Sequence, residues 1–151
     1  WWDVRPHPNL GTVELRVFDQ QTRVDHTIGF AALGQALAHR LATDYDNGVP
    51  SIEHPHELID DNKVRASVVG IEGKLIDFDH GHEVQGSEMA LGAIEDLREH
   101  AEELGCADEL AGLADLVEHG TGARRQLDWL AEHDDVSRLT REIIAASDPD
   151  A

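Results

Sequence analysis

The segment WDVRPHPNLGTVELRVFD, residues 2–19, decides the fold of the N-terminal part of the chain. From Thr12 to Phe18, apolar and polar side chains alternate, which is typical of a β-strand with one buried and one polar face. The predicted buried face consists of Val13, Leu15 and Val17. A turn at residues 8–11 leads into this strand, and a polar loop at residues 19–23 follows it.

The polar face of the predicted strand carries Glu14 and Arg16. Because successive side chains of a strand point to opposite faces, these two side chains project from the same face of the sheet. A carboxylate beside a guanidinium suits a metal-bound phosphate, since the carboxylate binds Mg²⁺ and the guanidinium holds phosphate oxygens in a fork. From the spacing alone, however, a surface ion pair along a strand is the favoured interpretation.

Further along the chain, Asp25 is placed to cap a helix that runs to about Ala42. Its apolar residues lie nearly all the way round, which predicts a buried central helix. A polar loop over 43–55 follows, and residues 56–70 then fit either a strand or a helix ended by Gly70. We choose the helix. Residues 74–84 predict a small hairpin.

From Ser87 onward every signal is helical. The first apolar face ends at Gly105, and a second ends at Gly120. Thr121 is placed to cap a third helix, and Asp134 or Asp135 to cap a fourth. Short loops between short amphipathic helices indicate a helical bundle.

The predicted fold class is therefore α+β: an N-terminal strand segment, a small hairpin and a mainly α-helical bundle. We divide the chain into an active-site strand region (1–24), a buried helix, loop, helix and hairpin (25–86), a helical bundle (87–147) and a tail (148–151).

The composition narrows the function. Of 151 residues, 31 are acids and 12 are bases, which gives a formal net charge of −19. Such a surface repels nucleic acid phosphates and anionic membranes, so we expect neither as a partner. Acids in every segment and only two lysines, Lys63 and Lys74, indicate adaptation to high salt; the alternative is an ordinary acidic protein.

The single cysteine, Cys106, excludes an internal disulfide and fits a cytoplasmic location. We expect no signal peptide, and the longest weakly polar stretch, residues 27–38, is too short to span a bilayer. The sequence begins at Trp1 without a methionine and enters structure almost at once, which suggests a piece of a longer protein.

Residues 2–19 resemble, almost position for position, a segment of the glutamate–cysteine ligase family and its carboxylate–amine ligase relatives, in a halophilic archaeal form. The resemblance implies a glutamine-synthetase-like fold, of which this chain is the C-terminal portion. It also implies that Glu14 is a Mg²⁺ ligand and that Arg16 holds the γ-phosphate of ATP or an acyl phosphate. By the same likeness, Arg5 grips phosphate or a substrate carboxylate. Asp19 matches the family too, with a loop-capping role as the alternative.

A second stretch resembles the family more loosely. Residues 62–66, NKVRA, followed by Gly70, look like a family helix, which supports a helix at 56–70. Val68 and Val69 stand where the family usually has arginine and tyrosine. Residues 104–105 and 118–126 resemble the family's terminal helices.

The family reaction phosphorylates the γ-carboxylate of glutamate with ATP, and the amine of cysteine then displaces phosphate to form γ-glutamylcysteine. The resemblance thus implies ATP and Mg²⁺ as cofactors, glutamate and cysteine as substrates, and an N-terminal part of the same protein as partner. We expect the 151-residue chain alone to be inactive. Two alternatives stay open: a ligase with another substrate pair, and a non-catalytic module whose helical bundle mediates homo-oligomerisation.

Ten histidines include two closely spaced pairs, His54 with His56 and His80 with His82. Each pair lies in a predicted loop with no cysteine or third histidine nearby, whereas zinc sites need three or four ligands. Exposed loop histidines are therefore the preferred interpretation over a structural metal site.

Overall fold

The computed structural model of the protein describes residues 3–148, so Trp2 of the quoted segment and residues 149–151 of the predicted tail lie outside the described residues. The chain begins with an antiparallel hairpin of β1 (Val4–His7) and β2 (Thr12–Leu15). The sequence did not predict β1. The strand predicted over 12–18 is too long, because β2 ends at Leu15, opposite the residue at which its partner begins.

The predicted burial of one face of this strand is wrong for the described residues. Val13 is 63% exposed and Val17 is 54% exposed, while Leu15, at 37%, is the most covered of the three. The physical reason is that, within residues 3–148, no second sheet or helix covers the outer part of the hairpin, whereas Leu15 packs on Gly34 of the following helix.

The long helix α1 (Val24–Asp46) departs from the prediction in three ways. Arg23 holds the N-cap position without a side-chain cap bond, and Asp25 lies in the first turn, where its Oδ1 accepts the His26 N–H at 2.9 Å. The helix also runs four residues beyond Ala42, so the predicted loop over 43–55 is shorter. Finally, burial is confined to one face, and Leu41 is 59% exposed, because α1 packs against other helices on one side only.

Residues 56–70 are helical, as chosen. Helix α2 (His56–Val69) ends at Gly70, whose φ of 63° is in the left-handed region that favours glycine. A 3₁₀ turn (Gly70–Glu72) leads into the second hairpin, β3 (Lys74–Asp77) paired antiparallel with β4 (His82–Gln85). The predicted hairpin is confirmed.

The remaining described chain is helical, but the helices are shorter than predicted. The helix predicted to end at Gly105 is interrupted at Leu97, and the helix predicted to end at Gly120 is interrupted at residues 112–113. Thr121 caps its helix as predicted, accepting the Arg124 N–H at 3.4 Å, and Asp135 rather than Asp134 caps the last one. The bounds are α3 (Gly86–Asp96), α4 (Arg98–Leu104), α5 (Ala107–Ala111), α6 (Ala114–Glu118), α7 (Gly122–His133) and α8 (Val136–Ala146).

The core lies where one face of α1 meets α4, α5 and α6. It is built largely from alanine and leucine, namely Ala32, Ala36, Leu97, Ala101, Leu110, Leu113 and Leu116. Two small antiparallel sheets and a mainly helical remainder confirm the α+β class. Within residues 3–148, no helix is long and apolar enough to cross a membrane.

Candidate functional site

The three residues predicted to carry the chemistry meet on the N-terminal hairpin. Arg5 stands directly opposite Glu14 in the pairing of β1 with β2, and Arg5 Nη2 lies 2.6 Å from Glu14 Oε2. Arg16 follows β2, and its Nε lies 3.5 Å from the other carboxylate oxygen, Glu14 Oε1. Glu14 is thus held between two guanidinium groups, one on each side.

The local sequence explains why the hairpin forms. The loop at residues 8–11 closes when the N–H groups of Leu10 and Gly11 both donate to the carbonyl of His7, each at 3.0 Å. Gly11 adopts a φ of 64°, a conformation that side-chain-bearing residues rarely reach. This turn sets the register, and the register places Arg5 opposite Glu14.

Two apolar contacts attach the hairpin to α1. Leu15 packs so closely on Gly34 that a Cβ at position 34 would lie 2.9 Å from Leu15 Cδ1. Beyond the strand, the rings of Phe18 and Phe30 lie 5.2 Å apart between centroids. An ion pair of 2.6 Å between Asp3 and Lys63 joins the start of the hairpin to α2. The site residues therefore sit on a hairpin held by two helices.

The hairpin is nevertheless open to solvent. The side chains of Arg5, Glu14 and Arg16 are 49%, 43% and 29% exposed, and Val13 beside them is 63% exposed. A two-stranded hairpin is marginally stable by itself, whereas three or more strands with an apolar face are stable. Within residues 3–148 this sheet has two strands, so its edges are available for pairing with further strands.

The charges of Arg5, Glu14 and Arg16 favour the binding of an anion that carries an associated cation. Two guanidiniums and one carboxylate leave one net positive charge, in a chain that is otherwise strongly acidic. One guanidinium group can donate two parallel hydrogen bonds to phosphate oxygens, and Glu14 keeps both guanidiniums in place. For Mg²⁺, the donor set fits in part: one carboxylate can serve, because Mg²⁺ usually takes one or two carboxylates together with substrate phosphates and water.

Asp19, whose role was left open, contacts its own loop. Its Oδ1 accepts the N–H of Gln20 at 3.0 Å, and its carbonyl accepts from the side-chain amide of Gln21 at 3.0 Å. The side chain thus bonds within its own loop, which agrees with the loop-capping alternative, while the second bond is made by the backbone carbonyl.

The NKVRA stretch at residues 62–66 joins α2 to the second hairpin. The Asn62 side chain donates to the Ile76 carbonyl at 2.9 Å and accepts the Ile76 N–H at 2.7 Å. Arg65 donates to Asp61 at 2.9 Å and to Glu83 on β4 at 2.6 Å. Both conspicuous side chains of this stretch therefore make bonds that fix α2 on β3 and β4.

The two valines that depart from the family pattern lie on the same helix but point outward. Val68 is 76% exposed and Val69 is 49% exposed.

One buried polar network escaped prediction from the sequence. His26 is 3% exposed, and its Nε2 lies 2.8 Å from Asp115 Oδ2, which also accepts from Arg125 at 2.8 Å. Burial raises the pKa of Asp115, but the hydrogen bonds from Arg125 and His26 outweigh it, so the pKa lies below its usual 3.8. This network fastens α7 to α1. His26 and Asp115 are 89 residues apart in the sequence, so no local pattern predicts their contact.

Of the predicted loop histidines, His54 and His80 lie in loops, whereas His56 begins α2 and His82 begins β4. His80 Nδ1 lies 2.9 Å from Asp77 Oδ2, and this hydrogen bond lowers the pKa of Asp77. His54 Nε2 lies 3.8 Å from Asp79 Oδ1. In the part of the chain that the structure describes, neither pair belongs to a group of three ligands close enough to share a metal ion.

Comparison with known proteins identifies a family. The family model described as "Glutamate-cysteine ligase family 2" matches residues 1–142. A protein of Rubrobacter xylanophilus named "Putative glutamate--cysteine ligase 2-1" is 38% identical over 149 residues, covering 99% of this chain and 39% of the relative. A protein of Solibacter usitatus named "Putative glutamate--cysteine ligase 2" is 35% identical over 144 residues, covering 95% of this chain and 37% of the relative. The chain thus spans well under half the length of these relatives.

Proposed function

The chain belongs to glutamate–cysteine ligase family 2, and on this premise we propose that it forms one wall of the active site of an ATP-dependent carboxylate–amine ligase. The reaction proposed is the phosphorylation of the γ-carboxylate of glutamate, followed by attack of the cysteine amine to give γ-glutamylcysteine. The names of the relatives support this substrate pair. The single observation that carries the proposal is the grouping of Arg5, Glu14 and Arg16 on one hairpin.

In this proposal the two arginines bind the phosphate that moves from ATP to the glutamate carboxylate. Catalysis of phosphoryl transfer consists largely of positioning and of neutralising phosphate charge, and a guanidinium supplies both. A net charge of −19 repels a polyanion such as ATP, so binding it needs a local group of cations. Arg5 and Arg16 are two of only 12 basic residues in the chain, and they converge on a single carboxylate.

Glu14 has two tasks in the proposed site. It holds the two guanidiniums in a fixed separation before substrate binds. The arginine side chains therefore lose less conformational entropy on binding. It also serves as one Mg²⁺ ligand, and Mg²⁺ neutralises phosphate charge when bound. The further carboxylates that such a site requires would come from polypeptide corresponding to the rest of the relatives' length, against which the exposed face of β1 and β2 would pack.

The experiment is ADP release by the longer protein that contains this chain, measured in molar potassium chloride with ATP, Mg²⁺ and pairs of amino acids. We expect release with glutamate and cysteine, and we expect Arg16→Ala to lower kcat/KM by about 100-fold or more. Arg16→Lys keeps the charge but loses the fork, so it should recover only part of the rate. The matched control is Arg98→Ala, which removes an exposed ion pair with Glu95 on other helices.

The outcomes separate the alternatives. Full activity in Arg16→Ala contradicts the phosphate role. Faster ADP release with another pair of amino acids would identify a carboxylate–amine ligase of different specificity. A protein that releases no ADP with any pair, yet forms oligomers, would be a non-catalytic assembly module.

A further inference from the structure

A second group of potential ligand side chains lies away from the hairpin, where α1 packs on α4. His39 Nδ1 and His100 Nδ1 are 3.1 Å apart, with the two rings inclined at 62°. Glu103 Oε2 lies 3.6 Å from His39 Nε2. One ligand atom from each of these three residues lies within 4.8 Å of those of the other two.

The packing of the two helices explains why these side chains meet. Ala36 and Ala101, on the facing sides of α1 and α4, are both completely buried, and their small side chains allow the two backbones to approach closely. His39 follows Ala36 by about one helical turn, and His100 directly precedes Ala101. Glu103 is three residues after His100, so both project from the same side of α4.

We propose that His39, His100 and Glu103 form a binding site for a divalent transition-metal ion of the Zn²⁺ class. Zn–N bonds of 2.0–2.1 Å in a tetrahedral site place two ligand nitrogens about 3.3 Å apart, close to the separation of the two Nδ1 atoms. Two histidines and one glutamate also form a known ligand set for zinc, one that leaves a fourth position for water.

The surroundings of the group favour a cation and admit one from solvent. The His39 and Glu103 side chains are 33% and 60% exposed, so an ion can reach them. A shallow depression along α3 and α4 is lined by four carboxylates and one guanidinium, namely Glu95, Asp96, Glu99, Glu102 and Arg98, and so keeps an acid excess. These carboxylates raise the local cation concentration. Imidazole ligands favour Zn²⁺ and similar ions over Mg²⁺, which prefers oxygen, so this site differs in kind from that proposed at Glu14.

A shared N–H···N hydrogen bond between the two imidazoles is the competing explanation of the 3.1 Å contact. It accounts for the pair of rings but assigns no role to the neighbouring carboxylate. The two explanations differ in what happens when a transition-metal ion is added.

The test uses Co²⁺ as a spectroscopic probe, added to the metal-free protein in molar potassium chloride, which suppresses weak binding to the acidic surface. We expect one Co²⁺ per chain, with the visible absorption of a tetrahedral site and displacement by Zn²⁺. His39→Gln and His100→Gln should each weaken Co²⁺ binding by about tenfold or more, and Glu103→Gln by less. Far-UV circular dichroism of each variant verifies folding.

Two matched variants serve as controls. Glu102→Gln removes the neighbouring carboxylate, and His56→Gln removes an exposed histidine outside the group. In molar potassium chloride, which screens the acidic surface, both should bind Co²⁺ as the unaltered protein does. Equal binding by the unaltered protein and by a His39→Gln/His100→Gln double variant would overturn the proposal. So would a thiolate-to-cobalt charge-transfer band, which would assign the ion to Cys106.

Discussion

Arg5 and Glu14 face each other across the N-terminal hairpin, with Arg5 Nη2 2.6 Å from Glu14 Oε2. The other oxygen of the same carboxylate, Glu14 Oε1, lies 3.5 Å from Arg16 Nε. A cross-strand pair of opposite charges contributes little to stability when it is this exposed. Its consequence is positional, because it keeps two cationic groups side by side on one face of a sheet.

Replacing Glu14 with glutamine tests its proposed Mg²⁺ role. In the longer protein, we expect Glu14→Gln to raise the Mg²⁺ concentration for half-maximal ADP release by about tenfold or more, because a neutral amide is a poor ligand for Mg²⁺. The matched control is Glu83→Gln, since Glu83 lies on β4 and pairs with Arg65 at 2.6 Å with nearly the same exposure. An unchanged Mg²⁺ dependence in Glu14→Gln would show that this residue only orients the arginines.

The buried network around Asp115 predicts that replacing this aspartate destabilises the protein far more than replacing an exposed aspartate. Asp115→Ala leaves His26, which is 3% exposed, without its carboxylate partner, and the free energy of unfolding should fall by about 1–3 kcal/mol. Asp128→Ala removes an exposed carboxylate that lies 2.9 Å from Arg124 Nε. It should change the free energy of unfolding by about 0.5 kcal/mol or less. Urea unfolding in molar salt measures both; equal effects would contradict the role given to the network.

The same aspartate predicts how that difference depends on pH. The pKa of Asp115 lies below 3.8 in the folded protein, because its hydrogen bonds to Arg125 and His26 outweigh the effect of burial. Its contribution is therefore complete above about 3.8, the usual value of an aspartate, and is lost as pH falls through the folded pKa. We expect the stability difference between the unaltered protein and Asp115→Ala to shrink below that pH. A difference that grows on acidification would contradict this sign.

Two helical glycines predict opposite effects of the same substitution. An alanine Cβ at position 29 would lie 2.8 Å from Leu113 Cδ2 and 3.0 Å from the Glu109 carbonyl oxygen, so Gly29→Ala should destabilise by about 1–3 kcal/mol. Gly92 lies inside α3 with nothing within 4 Å of the added atom, so Gly92→Ala should stabilise by about 0.5–1 kcal/mol. Thermal unfolding of the two variants measures the contrast, and a Gly29→Ala variant as stable as the unaltered protein would refute the close packing of α1 on α5.

The charge excess predicts that salt stabilises the protein. At −19, self-repulsion opposes folding, and the Debye length falls from about 10 Å at 0.1 M to about 3 Å at 1 M. We expect the melting temperature to rise steeply with potassium chloride and to level off near molar concentration, where screening is nearly complete. A melting temperature that is insensitive to salt over this range would favour an ordinary acidic protein over halophilic adaptation.

Local sequence signals predicted much of the secondary structure. The loop glycine Gly11, the helix-ending Gly70 and the cap at Thr121 each act on backbone groups within a few residues, so their effects can be read from the sequence. Alternation likewise predicted that the side chains of Glu14 and Arg16 lie on the same side, and they do contact each other, although Arg16 follows the end of β2. The same reasoning failed for Asp25, because the carboxylate bonds to the adjacent His26 N–H and pairs with Arg23.

The sequence alone therefore determined the α+β class, the second hairpin, the helix at residues 56–70 and the neighbourhood of Glu14 and Arg16. Tertiary structure decided the rest, because it depends on contacts between distant residues. The pairing of β1 with β2 brought Arg5 to Glu14, and helix packing brought together His26 with Asp115 and His39 with His100, 89 and 61 residues apart. Burial behaves in the same way: alternation shows which face of a strand is apolar, but the neighbouring elements decide whether that face is covered.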